Sequence, residues 1–408
     1  MLRHSAAEWF SVTPGQADVL IYHDSQPAFA ATFSFTLCLD GPLDVPRWRD
    51  AVHLAVAHFE CLRLEFRRDP DADRFEQRVS PFDSAVIRLD LLNVGDVDDV
   101  TATLYCERLL RRDASEWHLW TEPVYRFRLV RQTDVKHRFL LSIQHAVVDA
   151  YSLDNIVRYL VAAYRDPSGT GDPVPSLRDA VDALVPRDRT VERDLAYWRR
   201  VVLPRPSDDA EPVGIPLELA SADVDVEAWA TVRTRLAAAG TSLSAWLLDR
   251  FCTFADGDTP AITVDTHFQL RSRRFPDVAG NFAVVRPVVI RRDVENSLGR
   301  VTEALLAAQL HQRVDSAALR RLEGSHGSPH REWPDFNYVP FNHSRTAIPA
   351  LRNELTIRQD YFVPPRRVYF RRVLLSVRES ERCVQIRLWY DPARYPVAAA
   401  AHFLSELT

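Results

Sequence analysis

The sequence predicts a mixed fold of helices and strands, either α+β or α/β with mixed sheets, divided into two halves. Predicted helices and strands follow one another without the regular strand–helix–strand rhythm of a doubly wound parallel sheet. The 408 residues correspond to two domains, at roughly 100–200 residues per domain. Prolines and glycines concentrate in 166–173 and 204–216. We therefore place the boundary near residue 185 and expect domains at 1–185 and 186–408.

The two halves contain similar kinds of elements. Apolar residues at three- and four-residue spacing predict helices, and β-branched or aromatic runs predict strands. In the first half the helices are 47–59 and 100–111 and the strands are 124–130 and 138–145. The second half begins with a helix at 191–202 and continues with helices 243–254 and 301–314 and strands 261–267, 283–290, 368–377 and 383–390.

Composition and charge exclude several classes of protein. A chain that is 46% hydrophobic and 26% charged has the composition of an ordinary globular protein. Its formal charge of −5 does not show the excess of basic residues that indicates nucleic-acid binding. The five cysteines are scattered without a Cys-x-x-Cys pair, so neither a zinc site nor a disulfide framework is indicated. No signal core and no membrane-spanning stretch is present, so we expect a cytoplasmic protein with no membrane partner.

The residues with the clearest chemical potential lie at the end of the predicted strand 138–145. Phe139, Leu141 and Ile143 alternate on one face, and His145 falls on the same face at the strand's end. An amphipathic helix follows, so His145 and Asp149 occupy a tight strand-to-helix turn in which an imidazole could exchange a proton. A histidine at a strand end is also a common structural residue, and an aspartate before a helix is commonly its N-cap. Spacing alone leaves both interpretations open.

Six blocks in order resemble the condensation-domain superfamily, which includes nonribosomal peptide condensation domains and chloramphenicol acetyltransferase. Residues 144–150, Gln-His-Ala-Val-Val-Asp-Ala, resemble the signature His-His-x-x-x-Asp-Gly, which has a His-x-x-x-Asp core. The other blocks similar to this family are 59–66, 123–129, 194–198, 270–273 with 280–282, and 335–338. Together they extend over nearly the whole chain.

The resemblance implies two tandem acetyltransferase-like halves with mixed sheets, arranged as a V-shaped pseudo-dimer around a central tunnel. It implies that His145 is the catalytic residue, at the middle of that tunnel. It implies that Asp149 pairs with an arginine and holds the turn in shape, with Arg271 as the first candidate and Arg286 as the second. An unpaired buried carboxylate would be costly.

The candidate substrate-pocket residues are Gln144, Ala150 and Asn337. Gln144 and Ala150 replace the first histidine and the closing glycine of the family signature. In the late block, Val284 and Val289 stand where peptide-forming members carry Asn and often Arg. These departures argue against a standard modular peptide synthetase domain and favour a free-standing, divergent member.

The resemblance implies an acyltransferase that moves an acyl or aminoacyl group from a phosphopantetheine thioester to an amine or alcohol. The thioester would be carried by an acyl or peptidyl carrier protein or by coenzyme A, and the amide or ester product would belong to specialised-metabolite biosynthesis, such as that of nonribosomal peptide antibiotics. No cofactor or metal would be bound permanently, and a monomer is expected. The alternative is a catalytically inactive module that recruits a carrier or partner protein.

Two other segments are candidates for ligand contacts. His326, His330 and His343 cluster loosely in sequence, but the surrounding glycines and proline do not favour a helical pair of metal ligands. The arginine-rich run 364–372 is a candidate contact for an acidic carrier protein or a phosphate group, or else a solvated strand edge.

Overall fold

A computed structural model describes residues 8–25, 31–69, 74–85, 87–114, 117–169, 174–184, 188–201, 217–256, 259–291, 297–322, 333–340, 355–361, 373–380 and 383–408. In chain order, its first elements are β1 (Phe10–Ser11), α1 (Pro14–Ser25), β2 (Thr32–Asp40), α2 (Val45–His58), β3 (Leu64–Asp69), β4 (Arg74–Val79), β5 (Leu89–Asn93), α3 (Asp99–Asp113), β6 (Tyr125–Thr133), β7 (Lys136–Gln144), α4 (Ala150–Arg165), α5 (Leu177–Asp182) and α6 (Asp188–Val201). The remaining elements are β8 (Glu218–Asp225), α7 (Val226–Ala238), α8 (Leu243–Asp256), β9 (Ala261–Gln269), β10 (Ala283–Arg291), α9 (Ser297–Leu310), α10 (Ser316–Leu322), β11 (Asp335–Val339), β12 (Thr356–Tyr361), β13 (Val373–Glu379), β14 (Cys383–Tyr390) and α11 (Val397–Leu407).

The chain forms two compact units that are not continuous in sequence. The first unit comprises Met1–Val185, Arg271–Phe282 and Ile348–Pro364, and the second comprises Pro186–Leu270, Ala283–Ala347 and Pro365–Thr408. The boundary expected near residue 185 would place everything after it in the second half, whereas two later segments pack with the first unit. One of them, Arg271–Phe282, supplies residues to the candidate site.

The first unit contains a five-stranded sheet in the order β12-β2-β7-β6-β5, with β7 at its centre. β7 runs antiparallel to both β2 and β6, whereas β5 runs parallel to β6. The register pairs Phe33 with Ile143, so the end of β7 lies beside the start of β2. On one face of this sheet, Trp48 of α2 packs against Phe139 of β7 and Tyr164 of α4, with ring centroids 5.2 and 5.3 Å apart. A separate three-stranded sheet has the order β1-β4-β3.

Helix α4 follows the turn after β7, and its N-cap, its buried face and its last residue explain why this part of the sequence is helical. Asp149 is its N-cap, with its side chain accepting a hydrogen bond from Ser152 N. The apolar face expected from the spacing is buried, including Leu153, Ile156 and Leu160. The helix ends at Arg165, before Pro167, which cannot continue the helical hydrogen bonds.

The second unit contains a six-stranded sheet in the order β10-β9-β11-β13-β14-β8. β11 runs parallel to β9 and β13, whereas the other neighbours are antiparallel, so both large sheets are mixed. Large buried side chains such as Trp198, Trp229 and Phe251 form its core. The mixed α/β fold class expected from the sequence is therefore confirmed.

Several element bounds in the second unit differ from the sequence prediction, most clearly at the helix expected at 301–314. The helix expected at 301–314 begins at Ser297 and ends at Leu310, where His311 N shares hydrogen bonds with the carbonyls of Ala307 and Ala308 at 3.2 Å. Such shared bonds are typical of a helix terminus. The strand expected at 368–377 is described from Val373 onwards, and 368–372 lie outside the described residues. Across the described ranges, no helix combines the length and the apolar character that a bilayer crossing needs.

Candidate active site

His145 is the first residue after β7 and opens the turn that leads to α4. Its backbone N donates to Ala31 O at 2.8 Å, which extends the pairing with the chain before β2 by one residue. Its ring packs against that of Phe33, with centroids 4.4 Å apart and an interplanar angle of 48°. His145 is half-buried, whereas residues 146–149 are buried. The turn therefore holds one imidazole with part of its surface accessible.

Asn281 approaches His145 from the segment Arg271–Phe282. Its Nδ2 donates to the backbone O of His145 at 2.9 Å and lies 3.4 Å from His145 Nδ1. The backbone O of Asn281 accepts a hydrogen bond from Thr13 Oγ1 at 2.5 Å, and its side chain is almost fully buried. His145 is thus held on one side by Phe33 and on another by the amide of Asn281.

Asp149 holds the other end of the turn and is 2% exposed. One carboxylate oxygen accepts from Ser152 N at 2.7 Å, and the other accepts from Phe282 N at 3.2 Å. Arg271 Nη2 lies 3.1 Å from both carboxylate oxygens. Backbone amides and a guanidinium together provide the hydrogen bonds that a buried carboxylate requires.

The guanidinium of Arg271 is held by two aromatic rings and a backbone carbonyl. Its Cζ lies 4.6 Å from the ring centroid of Tyr151 and 4.5 Å from that of Phe282, and Nη1 donates to Val278 O. Stacking of this kind suits arginine better than lysine, because the guanidinium is planar. The side chain is 6% exposed, so Arg271 and Asp149 form a buried ion pair.

Arg286, the second candidate partner of Asp149, makes its own set of hydrogen bonds among the described residues. It lies on β10 in the second unit and is fully buried. Its guanidinium donates to the carbonyls of Val285, Gln312 and Val314, each at 2.9 Å. It therefore ties β10 to the chain after α9, and Arg271 is the arginine that contacts Asp149.

Ser152 and Gly280 join the turn to the segment Arg271–Phe282. Ser152 Oγ donates to Gly280 O at 2.7 Å and accepts from Gly280 N at 3.0 Å and from Arg271 Nη2 at 2.7 Å. A Cβ atom at Gly280 would lie 2.8 Å from Cε2 of Phe282 and 3.0 Å from Cδ1 of Leu177. A larger residue at this position would therefore force the side chains of Phe282 and Leu177 to shift, and glycine leaves room for their packing.

Of the three candidate pocket residues, Ala150 and Asn337 are half-buried like His145, whereas Gln144 is buried. Gln144 is the last residue of β7 and is 0% exposed, with its amide pointing to the face opposite His145 by strand alternation. Both polar atoms of its side chain are buried without a hydrogen-bond partner among the described residues. Ala150 is the first residue of α4, and Asn337 lies half-buried on β11 in the second unit. Gln144 and Ala150 belong to the same unit as His145, and the pocket role of the three residues stays a prediction.

Two residues at this site were missed by sequence reasoning, Ser152 and Asn281. Each lies next to a residue that was singled out, since Ser152 is in the first turn of the helix that Asp149 caps and Asn281 stands between Gly280 and Phe282. The available signals were therefore the hydroxyl of Ser152 in the first turn of α4 and the side-chain amide of Asn281 in the block 280–282.

The arrangement offers acid–base or hydrogen-bonding chemistry at His145 and provides no reactive thiol. Burial, followed by the negative charge of Asp149, raises the pKa of the Cys61 thiol, so this neighbouring cysteine is not activated as a nucleophile. Among the residues that the structure describes, no three His, Cys, Asp or Glu side chains come together in a way that could hold a metal ion. The segments with His326, His330 and His343 and with 364–372 lie outside the described residues.

Comparison with known proteins gives matches to one family. Residues 8–329 match the family model of the condensation domain. The chain is 26% identical over 298 residues to one protein of the linear gramicidin synthase of Brevibacillus parabrevis, and the match covers 67% of this chain and 4% of that protein. The chain spans 5% or less of the length of the curated relatives that it matches first.

Solved structures show the same fold at low sequence identity. The first condensation domain of the CDA synthetase aligns with a TM-score of 0.72 at 17% identity, over 98% of this chain and 94% of that one. The X-domain from teicoplanin biosynthesis aligns with a TM-score of 0.73 at 19% identity, over 99% of this chain and 93% of that one. At these identities the likeness concerns the fold.

Proposed function

The chain belongs to the condensation-domain family, and from this premise we propose that it is an acyltransferase that forms an amide or an ester. It would transfer an acyl or aminoacyl group from a phosphopantetheine thioester to an amine or alcohol in specialised-metabolite biosynthesis. The thioester is carried by an acyl or peptidyl carrier protein or by coenzyme A. The phosphopantetheine arrives with the donor, so the proposal requires no permanently bound cofactor.

The observation that supports the proposal is the half-buried His145 in an otherwise buried turn that hydrogen bonds and an ion pair hold in place. Asp149 and Arg271 fix the shape of the turn through a buried ion pair, and Asn281 contacts both the backbone and the ring of His145. Catalytic groups need a position fixed to within a fraction of an ångström, and this network supplies such support.

The proposed reaction has a simple balance of atoms. The lone pair of the amine or alcohol attacks the thioester carbonyl carbon, and the carbonyl π electrons move to oxygen. The tetrahedral intermediate collapses by breaking the carbon–sulfur bond, and the departing sulfur ends as a thiol with the proton that the nucleophile has lost. An imidazole at this place acts either by accepting that proton or by donating a hydrogen bond to an oxygen.

The test is acyl transfer by the purified chain. The protein is incubated with acyl-loaded carrier protein or acyl-coenzyme A and a panel of amines and alcohols, and products are followed by mass spectrometry. We expect His145→Ala to lower the rate by about 10²–10⁴-fold, the usual contribution of a placed acid–base group. His118→Ala, at an exposed histidine of the same unit, is the matched control and should leave the rate unchanged.

A second candidate function is recruitment of a carrier or partner protein without catalysis. It is favoured by the departures at Gln144, Ala150, Val284 and Val289, and by the likeness to an X-domain whose structure is also known in complex with OxyB. If wild-type protein and His145→Ala bind acyl carrier protein equally and neither forms product, the recruitment function replaces the enzyme function.

A further inference from the structure

We propose that Asn281 is a positioning residue that keeps the neutral ring of His145 in the form protonated at Nε2. In this form His145 donates a hydrogen bond to the reacting oxygen and does not remove a proton from the nucleophile. The inference deepens the proposed acyl transfer and rests on it for the role of the ring. The protonation site of His145 is a property of the resting protein and can be measured without any substrate.

The orientation of the Asn281 amide follows from its closest contact. The side-chain atom that lies 2.9 Å from the backbone O of His145 must be the amide nitrogen, because a carbonyl oxygen only accepts hydrogen bonds. The opposite orientation would place two acceptor oxygens against each other. The contact to the backbone therefore determines which end of the amide faces the ring.

The same nitrogen lies 3.4 Å from Nδ1 of His145. A side-chain amide has two N–H groups, so one can bond to the carbonyl of His145 while the other points at the ring. A neutral imidazole has one N–H and one lone pair, and a donor facing Nδ1 favours the lone pair at that nitrogen. The hydrogen of the neutral ring is then on Nε2.

Asn281 is well placed to impose this choice because it cannot easily turn. It is 1% exposed, and its backbone O accepts from Thr13 Oγ1 at 2.5 Å. The residues on either side are held as well, since Gly280 N donates to Ser152 Oγ and Phe282 N donates to Asp149. The ring of His145 also packs against that of Phe33, with centroids 4.4 Å apart.

This protonation state changes what His145 can do in the reaction. With hydrogen on Nε2 and Nδ1 facing an amide donor, the neutral ring has no lone pair directed at the nucleophile. The N–H at Nε2 can instead bond to the carbonyl oxygen as it gains negative charge, which is oxyanion stabilisation. The nucleophile's proton then passes to the departing sulfur, directly or through water, and the products remain an amide or ester and a thiol.

The test measures the protonation site first, on the intact protein labelled with ¹⁵N-histidine. The chain has 13 histidines, and the signals of His145 are identified by their loss in His145→Gln. Spectra at about pH 8.5, above the ordinary titration range of histidine, report the neutral form. We expect Nδ1 to give the shift of an unprotonated nitrogen and Nε2 that of a protonated one.

Two variants distinguish the loss of the hydrogen-bond donor of Asn281 from a general disturbance of the site. Asn281→Asp replaces the donor with a carboxylate that accepts, so the hydrogen of His145 should move to Nδ1. Its kcat for acyl transfer should fall by about 10- to 100-fold, and the KM for the donor should not change. This loss is smaller than the one expected from removing an oxyanion-stabilising group entirely, because the imidazole itself is still present. Thr13→Val removes the bond to the Asn281 backbone and keeps the amide, so the protonation site should stay at Nε2.

The outcomes distinguish this inference from the proposed function. Hydrogen on Nδ1 in the wild-type protein, or on Nε2 in Asn281→Asp, would overturn the role of Asn281. A shifted protonation site with an unchanged kcat would overturn the donor role of His145. Failure of the wild-type protein to transfer any acyl group would overturn the proposed function and leave the assignment of the protonation site standing.

Discussion

The ion pair between Asp149 and Arg271 connects parts of the chain that are 122 residues apart. Both side chains are buried, at 2% and 6% exposure. A buried pair of this kind contributes little net free energy compared with a well-packed apolar pair, but removing one partner leaves an uncompensated charge. The pair therefore specifies the geometry of the turn more than it raises the overall stability.

We expect Asp149→Ala to lower the free energy of unfolding by about 3–5 kcal/mol, because Arg271 is left buried without its anion. Urea denaturation monitored by tryptophan fluorescence measures the change. Glu303→Ala is the control, since Glu303 forms an exposed ion pair with Arg300 and should change the free energy by less than about 1 kcal/mol. An Asp149→Ala protein that unfolds like the wild type and has lost acyl transfer would show that Asp149 acts in the chemistry.

For individual residues, the sequence predicted those roles that depend on neighbouring positions in the chain. The place of Asp149 before an amphipathic helix predicts an N-cap, and this is what the structure contains. The contact between Asn281 and His145 joins residues 136 positions apart and depends on the orientation of an amide. No local pattern encodes such a contact, so it could not be predicted from one sequence.

Helix α3 ends in a way that helix electrostatics alone disfavours. Its last residue, Asp113, places a negative charge at the negative end of the helix dipole. The neighbouring strands compensate, since Arg128 donates twice to this carboxylate, at 2.5 and 2.9 Å, and Ser142 Oγ and Arg126 donate at 2.7 and 3.0 Å. Burial by itself would raise the pKa of Asp113, but these hydrogen bonds and the charge of Arg128 outweigh it, and the pKa is lowered.

The direction of this shift predicts how stability depends on pH. A carboxyl group whose folded pKa lies below its unfolded value of about 3.9 stabilises the fold above that pH and stops doing so as the pH falls through the folded value. We expect Asp113→Asn to be clearly less stable than the wild type at pH 7. The difference should shrink as the pH falls below about 4, because the carboxyl of the unfolded chain then binds a proton while the folded one is still ionised, and it should vanish below the folded pKa.

Urea midpoints of both proteins at several pH values between about 3 and 7 measure this effect. Other carboxyl groups titrate over the same range, but they are present in both proteins and cancel in the comparison. A difference that stays constant across the series would mean that the charge of Asp113 does not stabilise the link between α3 and the strands.

The largest discrepancy between sequence and structure concerns the assignment of segments to units. Proline- and glycine-rich stretches near residue 185 predicted a boundary between two consecutive halves, because composition reports linkers along the chain. The structure assigns Arg271–Phe282 to the first unit, and β12 pairs with β2 there over the register from Thr356–Asp40 to Tyr361–Phe35. Such returns of the chain are set by long-range packing, which composition does not record.

This interleaving predicts that residues 1–184 do not form a stable unit alone. Without Arg271–Phe282, the buried carboxylate of Asp149 loses the guanidinium of Arg271 and the amide of Phe282, and Ser152 loses both of its bonds to Gly280. Without β12, the main-chain groups along one edge of β2 are unpaired. We expect fragment 1–184 to unfold without a sharp cooperative transition in urea, unlike the intact chain.

A fusion can show which of these losses dominates. A glycine–serine linker can join residue 184 to a copy of Arg271–Phe282, whose Gly280 lies beside Leu177 of α5 in the intact chain. If the missing contacts to the turn are the main cause, this fusion regains a cooperative transition, whereas the same fusion with Arg271→Ala does not. Equal recovery by both fusions would assign the effect to apolar packing by the segment, and recovery by neither would assign it to the uncovered edge of β2.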